Sequence, residues 1–194
     1  MVAIAVETRI AAAPISTREA AITAAARLLD SEGPASVTMR RIAGELGIKA
    51  PSLYKHFPDK RNLEAAVIAV GLLEFGKAMG AALAVGEDPV RALAEAYRAF
   101  ALGNPHLYRL IHDQPLPRDL LPPGLEDSVA EPLISVFKDR AQTRVAWALA
   151  HGLVSLELAG RFPAGADVDA AWNVAVATLR AGLSGNPPRP TAMP

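Results

Sequence analysis

The stretch VTMRRIAGELGIKAPSLYKHFPDK, residues 37–60, decides the fold of this chain. Ile42 and Leu46 stand four residues apart, a helical spacing that predicts one apolar helix face. Gly47 follows, and glycine ends helices because it adopts the left-handed backbone conformation at little cost. Pro51 then lies in the first turn of a second helix, where proline is well tolerated. The stretch therefore predicts two short helices joined by a tight glycine turn.

Polar side chains face outward from the second predicted helix, because Leu53 and Phe57 point back into the hairpin. The outward residues are Lys49, Pro51, Ser52, Tyr54 and Lys55. Between Arg40 and Arg61, six basic side chains stand against two acidic ones, a net charge of +4. Such donors suit the phosphates and base edges of double-stranded DNA. Helix pairs of ordinary all-helical cores have the same spacing, so spacing alone favours DNA binding only modestly.

The stretch from Ser16 to about Val70 resembles the three-helix DNA-binding domain of TetR-type (tetracycline-repressor-like) transcriptional regulators. Four motifs carry the resemblance: the A-A-x-x-L-L-D-x-x-G run ending at Gly33, V-T-M-R-R-I-A, the L-G-I turn at residues 46–48, and L-Y-K-H-F-x-x-K. The last motif is the most specific of the four.

The resemblance implies a role for each matching position. Residues expected to contact the DNA backbone are Thr38, Arg40, Tyr54, His56 and Lys60. Residues expected to face the bases are Lys49, Ala50, Pro51, Ser52 and Lys55. Thr38 should also cap its helix. For His56, an alternative interpretation is a half-buried ring packed on Tyr54.

Composition places the whole chain in the all-α class. Of its 194 residues, 51% are hydrophobic, and apolar positions recur at helical spacing from end to end. The chain has no cysteine, which fits a reducing cytoplasm. It has no run of 18 uninterrupted apolar residues, so we expect no membrane span. Residues 1–62 carry a net charge of +3 and residues 63–194 one of −3, as expected if one end contacts phosphate.

Helix start and stop signals predict about nine helices. Ser16 and Glu19 have capping-box spacing, which starts the first helix at Thr17 and takes it to about Ser31. Beyond the hairpin, the predicted helices span about 60–83, 89–102, 105–113, 127–138, 139–160 and 167–183. The predicted domains are a disordered leader (1–15), a helix-turn-helix head (16–62), a helical ligand-binding and dimerisation body (63–184) and a disordered tail (185–194).

Residues 90 to 162 resemble the ligand-binding domain of a TetR subgroup marked by Trp, His and Gly, here Trp147, His151 and Gly152. That resemblance implies a homodimer formed through the last two helices. Candidate dimer contacts are Ala148, Leu153, Leu156, Leu158, Trp172, Val176 and Leu179, which are alternatively monomer core. Candidate ligand-lining residues are Phe75, Tyr97, Phe100, Tyr108, His112, Trp147 and His151. Aromatic clusters are more often core, but this one suggests a mostly apolar small molecule.

These patterns together predict a regulator that binds a palindromic DNA operator as a homodimer and is released by a small-molecule effector. We expect no cofactor and no metal. An enzyme is the first alternative, but the histidines show no metal-ligand spacing and the chain has no nucleotide-binding or nucleophile motif. An architectural DNA binder without an effector is the second alternative, and it predicts a body without a cavity.

Overall fold

The structure is a computed structural model, and it describes residues 16–184. Over this range the chain forms nine α-helices, two 3₁₀ turns and no strand, which confirms the all-α prediction. The helices are α1 (Thr17–Glu32), α2 (Met39–Glu45), α3 (Ala50–Tyr54), α4 (Lys60–Val85), α5 (Pro89–Gly103), α6 (Pro105–His112), α7 (Leu125–Phe137), α8 (Arg140–Leu158) and α9 (Val168–Ser184). The predicted leader and tail lie outside the described residues.

The capping box predicted for α1 is present. The Ser16 hydroxyl accepts a hydrogen bond from the Glu19 amide at 3.2 Å. The Glu19 carboxylate in turn accepts from the Ser16 amide at 3.0 Å and from its hydroxyl at 2.8 Å. These bonds favour the charged carboxylate and lower the pKa of Glu19, with the side-chain bond contributing most. Two otherwise unpaired amides at the start of α1 are therefore satisfied.

The hairpin turn follows the prediction from its glycine. α2 begins after Thr38, whose side chain accepts from the Arg41 amide at 3.2 Å. Gly47 has a φ of 65°, the left-handed conformation, and the Ile48 amide then donates to the Ala43 carbonyl at 2.9 Å. This closure is typical of a helix C-terminus that ends on glycine.

The hairpin packs on α1 and on the start of α4. Ile42 and Leu53 are fully buried, and Phe57 is 1% exposed. The guanidinium of Arg18 lies 5.0 Å from the centre of the Phe57 ring. From α6, Leu107 and Leu110 pack on the same core. α6 and the segment after it therefore belong to one compact unit with the hairpin, made of residues 16–75 together with Gly103–Asp127.

A second compact unit contains Gly76–Leu102 and residues 128–184. Within it, α5, α8 and α9 bury Leu93, Tyr97, Val154 and Trp172. α4 contributes to both units. The division into functional domains after residue 62 stays a prediction.

α4 is the only helix in residues 16–184 that is long and apolar enough, by length and composition, to cross a membrane. Its apolar run is interrupted by Glu74 and Lys77, and 44% of the residues in its most apolar window are buried within the protein. The core helix of a soluble protein passes the same test, so this property does not identify a membrane span.

Gly44 and Gly47 form a matched pair for testing the turn. A methyl group added to either glycine would meet nothing within 4 Å, so only the backbone conformation distinguishes them. Gly44→Ala should stabilise the protein by about 1 kcal/mol, because alanine favours the helix. Gly47→Ala should destabilise it by about 1–2 kcal/mol, because a side chain opposes the left-handed conformation. Urea unfolding followed by circular dichroism measures both; shifts of the same sign would contradict the assigned turn.

Candidate nucleic-acid interface

α3 presents an outward face of polar, basic and aromatic groups. Tyr54 is 49% exposed, a large fraction for an aromatic side chain. Lys49, Pro51, Lys55 and His56 are also exposed, whereas Ala50 and Ser52 are partly buried. Eight predicted DNA contacts lie between Lys49 and Lys60. Seven of them are on this face, and the eighth, Lys60, starts α4.

Burial beneath α3 explains why these groups face outward. Leu53 is fully buried and Phe57 nearly so, and they stand four residues apart. Because Leu53 enters the core, Tyr54 and Lys55, one and two positions farther along, point away from it. His56 lies in the turn that follows α3. His56 is exposed, not half-buried on Tyr54 as the alternative interpretation required.

The basic residues of this unit fall into paired and unpaired sets. Paired cations are Arg27 with Glu45, Arg41 with Glu32 at 2.6 Å, Lys60 with Glu64 at 3.2 Å, and Arg61 with Asp119 at 2.6 Å. Arg40, Lys49 and Lys55, in contrast, form no ion pair within residues 16–184. These three unpaired cations lie on α2 and at the two ends of α3, among the predicted DNA contacts.

Asp59 caps α4, as its position suggested. Its carboxylate accepts from the Asn62 amide at 2.8 Å and from the Asn62 side chain at 3.0 Å. These bonds, the side-chain one first, lower the pKa of Asp59, so the carboxylate stays charged well below neutral pH.

The arrangement has the size and chemistry of a major-groove reader. A single short helix fits within a groove about 12 Å wide. Lys55 and Ser52 can donate to base edges, and Pro51 and Ala50 offer apolar surface to a thymine methyl group. Thr38 and Arg40 at the start of α2 are exposed, as contacts to phosphate require.

The seven predicted ligand-lining residues are divided between the two compact units. Phe75, Tyr108 and His112 belong to the first, and Tyr97, Phe100, Trp147 and His151 to the second. Phe75, Tyr97 and Tyr108 are at most 5% exposed, as core aromatics are. The His112 ring stacks on Tyr108 with centroids 4.2 Å apart.

Trp147 and His151 share a face of α8, with ring centroids 6.3 Å apart. Trp147 is nevertheless 46% exposed. Their predicted shared face is therefore present, and their role in binding a ligand stays a prediction.

The second unit contains an open cleft of about 290 Å³ between α5 and α9. Its lining residues are Arg91, Ala94, Glu95, Arg98, Asp169, Trp172, Asn173 and Val176, and none is among the seven predicted. Five of these eight lining residues are polar or charged, whereas the sequence directed attention to aromatic side chains. The sequence contained one signal for this cleft, the arginines Arg91 and Arg98, which stand seven residues apart on α5.

Arg98 is the centre of a polar network along this cleft. Its Nε and Nη2 donate to both oxygens of Glu157, at 2.9 and 2.6 Å, and Nη1 donates to Asp169 at 2.6 Å. Trp172 donates from Nε1 to Glu157 at 3.2 Å, and the Arg98 guanidinium lies 5.5 Å from the Trp172 ring centre. The hydrogen bonds to Glu157 are the main reason why the pKa of Arg98 is raised. Glu157 is thus a structural ion-pair partner of Arg98.

The candidate dimer contacts also separate by burial. Trp172 and Val176 are 6% and 3% exposed, so the monomer-core alternative is right for these two residues. Leu156 on α8 is 46% exposed. Two further apolar side chains, Val145 on α8 and Val174 on α9, are 59% and 66% exposed. Exposed apolar side chains therefore remain on both of the last two helices.

Two family profiles match this chain. The profile described as bacterial regulatory proteins, tetR family, matches residues 21–67. The profile described as tetracyclin repressor-like, C-terminal domain, matches residues 90–179. Neither description names the Trp-His-Gly subgroup, which stays a prediction.

Relatives and solved structures agree with the profiles. An uncharacterised helix-turn-helix-type transcriptional regulator of Mycobacterium tuberculosis is 32% identical over 181 residues, covering 86% of this chain and 81% of that protein. The class C tetracycline repressor protein of Escherichia coli is 48% identical over 46 residues, 24% of this chain and 21% of that one. A TetR variant from Acinetobacter baumannii, solved in complex with minocycline, shares the fold with a TM-score of 0.61 and 24% identity, covering 84% of this chain and 94% of that one.

The extent of the Mycobacterium match, the two profiles and the helix-turn-helix geometry lead to one assignment. The chain belongs to the tetracycline-repressor-like (TetR) family of helix-turn-helix transcriptional regulators.

Proposed function

We propose that this regulator is a ligand-responsive repressor that binds a palindromic operator as a homodimer in the cytoplasm and is released by a small, mostly apolar effector. The observation that carries the DNA-binding part is the outward face of α3, where Tyr54, Lys55 and His56 are exposed between two buried anchors. Recognition by a repressor requires such a face to be open before DNA arrives.

The DNA contacts divide into two groups by chemistry. Thr38, Arg40, Tyr54, His56 and Lys60 position the protein on the sugar-phosphate backbone. Lys49, Ala50, Pro51, Ser52 and Lys55 face the bases. Backbone contacts provide affinity without sequence preference, and base contacts provide the preference. Lys60 is partly neutralised by Glu64 at 3.2 Å, so Arg40, Lys49 and Lys55 supply most of the unpaired positive charge.

Dimerisation follows from the shortness of α3. A helix of five residues reads only a few base pairs, and a genome offers many near matches to so short a site. Two copies on a two-fold axis read a palindrome, which multiplies the specificity. The exposed apolar residues Val145, Leu156 and Val174 on α8 and α9 supply a contact surface of the kind that homodimers bury.

The effector part of the proposal rests on two observations of different kinds. The Acinetobacter relative was solved with minocycline bound, so this fold accommodates a small molecule in at least one protein. Among the predicted ligand-lining residues, Phe100, Trp147 and His151 of the second unit are not fully buried, and they supply apolar surface to such a ligand here. The effector must bind the DNA-free state more tightly than the DNA-bound state, since only that difference releases the operator.

Lys55→Ala tests the assignment of α3 to base readout. In a selection of bound duplexes from a random pool, we expect the variant to lose preference at one position of each half-site. The loss corresponds to about 1–3 kcal/mol if Lys55 contacts a guanine. Lys77→Ala is the matched control, because it removes the same charge from an exposed position of α4 outside the hairpin.

The control should select the same motif as the unaltered protein. If Lys55→Ala also selects an unchanged motif, Lys55 does not read bases, and the proposed orientation of α3 in the groove is wrong.

Leu156→Glu tests the dimer surface. The side chain is nearly half exposed, so the change leaves the monomer core intact while placing two charges in the proposed interface. We expect light scattering to give the monomer mass of 20.4 kDa for the variant and twice that mass for the unaltered protein. Val85→Glu, at an 86% exposed site, is the control and should stay dimeric; a dimeric Leu156→Glu would remove this residue from the interface.

A further inference from the structure

Arg61 is held by an acidic residue from a distant part of the sequence. Its Nη2 lies 2.6 Å from Asp119 Oδ1, and its Nη1 lies 3.0 Å from Asp119 Oδ2. Both guanidinium nitrogens thus meet both carboxylate oxygens in a two-pronged pair, which is the strongest geometry for these groups. The two side chains are 59% and 61% exposed, so the pair faces water.

The pair joins the DNA-facing end of α4 to a proline-rich segment. Arg61 directly follows Lys60 in the first turn of α4. Asp119 lies in the 3₁₀ turn Arg118–Leu120, within the segment between α6 and α7 that contains four prolines. Both residues belong to the same compact unit. The hairpin region contains three other paired cations, Arg27, Arg41 and Lys60. Their partners all lie between α1 and α4.

We propose that Arg61 is a further phosphate-binding residue, and that Asp119 holds it away from DNA in the unbound protein. The proposal rests on the proposed DNA-binding function. It adds one backbone contact to those implied by the helix-turn-helix motif, and it makes the segment carrying Asp119 a restraint on DNA affinity.

Charge and exposure make the exchange of partners feasible. An ion pair in open water contributes little stability, because solvent and salt screen it. A duplex offers a dense row of phosphates, and each phosphate that a cation neutralises releases condensed counterions. A phosphate is therefore a partner of higher charge density for Arg61 once Asp119 no longer holds it. The hydrogen bonds of the pair lower the pKa of Asp119, so its carboxylate remains charged at neutral pH.

The Asp119 carboxylate also opposes DNA directly. It lies within hydrogen-bond distance of a side chain that begins one residue after Lys60, and the screening length at 0.1 M salt is about 10 Å. Removing this carboxylate should therefore raise the affinity for DNA in two ways. It frees the Arg61 cation, and it removes a charge that repels phosphate. By linkage, whatever strengthens the hold of Asp119 on Arg61 weakens DNA binding to the same extent.

The test uses the full chain and a fluorescein-labelled 30-base-pair duplex of mixed sequence, with binding followed by fluorescence anisotropy from about 50 to 200 mM salt. Asp119→Asn and Asp119→Ala should each bind about three- to tenfold more tightly at 100 mM salt, and the slope of log affinity against log salt should steepen by about 0.9. Arg61→Ala alone should weaken binding slightly, because it leaves the Asp119 carboxylate unpaired. The double variant Arg61→Ala with Asp119→Asn should keep only a small part of the gain.

Glu126→Gln is the matched control. It also removes one carboxylate from an exposed pair, in which Glu126 of the first turn of α7 lies 2.9 Å from Arg118, but that pair does not involve α4. Its affinity should rise less than that of Asp119→Asn, with no added slope. An equal rise in the control would show a general charge effect, and a full gain in the double variant would show that Arg61 is not needed for it. Either result overturns the role of Arg61.

The experiment distinguishes failure of the proposed DNA binding from failure of the proposed restraint by Asp119. If the unaltered protein does not bind the duplex even at 50 mM salt, the DNA-binding function itself is contradicted, and this proposal with it. If the unaltered protein binds and both Asp119 variants bind equally well, only the restraint by Asp119 is rejected.

Discussion

The burial of Leu53 and Phe57 beneath α3 is the interaction on which the rest of the structure depends. These two side chains fix a helix of five residues that has too few backbone hydrogen bonds to be stable alone. Once they enter the core with Ile42, the rotation of α3 about its axis is set. Tyr54 and Lys55 then face outward, and His56, in the turn after α3, is exposed as well. The chemistry of the surface is therefore a consequence of packing on the opposite side of the same short helix.

The helix ends could be predicted closely because the residues that start or end each helix act on near neighbours in the sequence. Ser16 with Glu19, Asp88 before Pro89, and Gly47 each act on neighbours within four residues. The start of α7 was placed at Asp127 and lies at Leu125, in a segment where the surrounding prolines give no cap signal. The outward face of α3 was equally accessible, since only the spacing of its apolar residues was needed.

Charge pairing could not be predicted in the same way, because it depends on residues far apart in sequence. Arg98 meets Glu157 and Asp169 across 59 and 71 positions, and Arg61 meets Asp119 across 58. Nothing near these residues indicates a partner. The same limit applies to Trp172, whose burial against the Arg98 network depends on how α5 meets α9. Interactions of this kind decide which cations remain available to a ligand, so the sequence alone overstates the basic surface.

The helix-turn-helix shares contacts with the part of the chain that follows α5. Here α6 packs Leu107 and Leu110 on the hairpin core, and Asp119 holds the first turn of α4. The central claim remains that α3 reads duplex DNA, and selection of bound sequences from a random pool by the full-length protein tests it most directly. The account predicts enrichment of an inverted repeat with half-site centres about 34 Å or more apart. A pool that shows no enriched sequence after repeated rounds would contradict it.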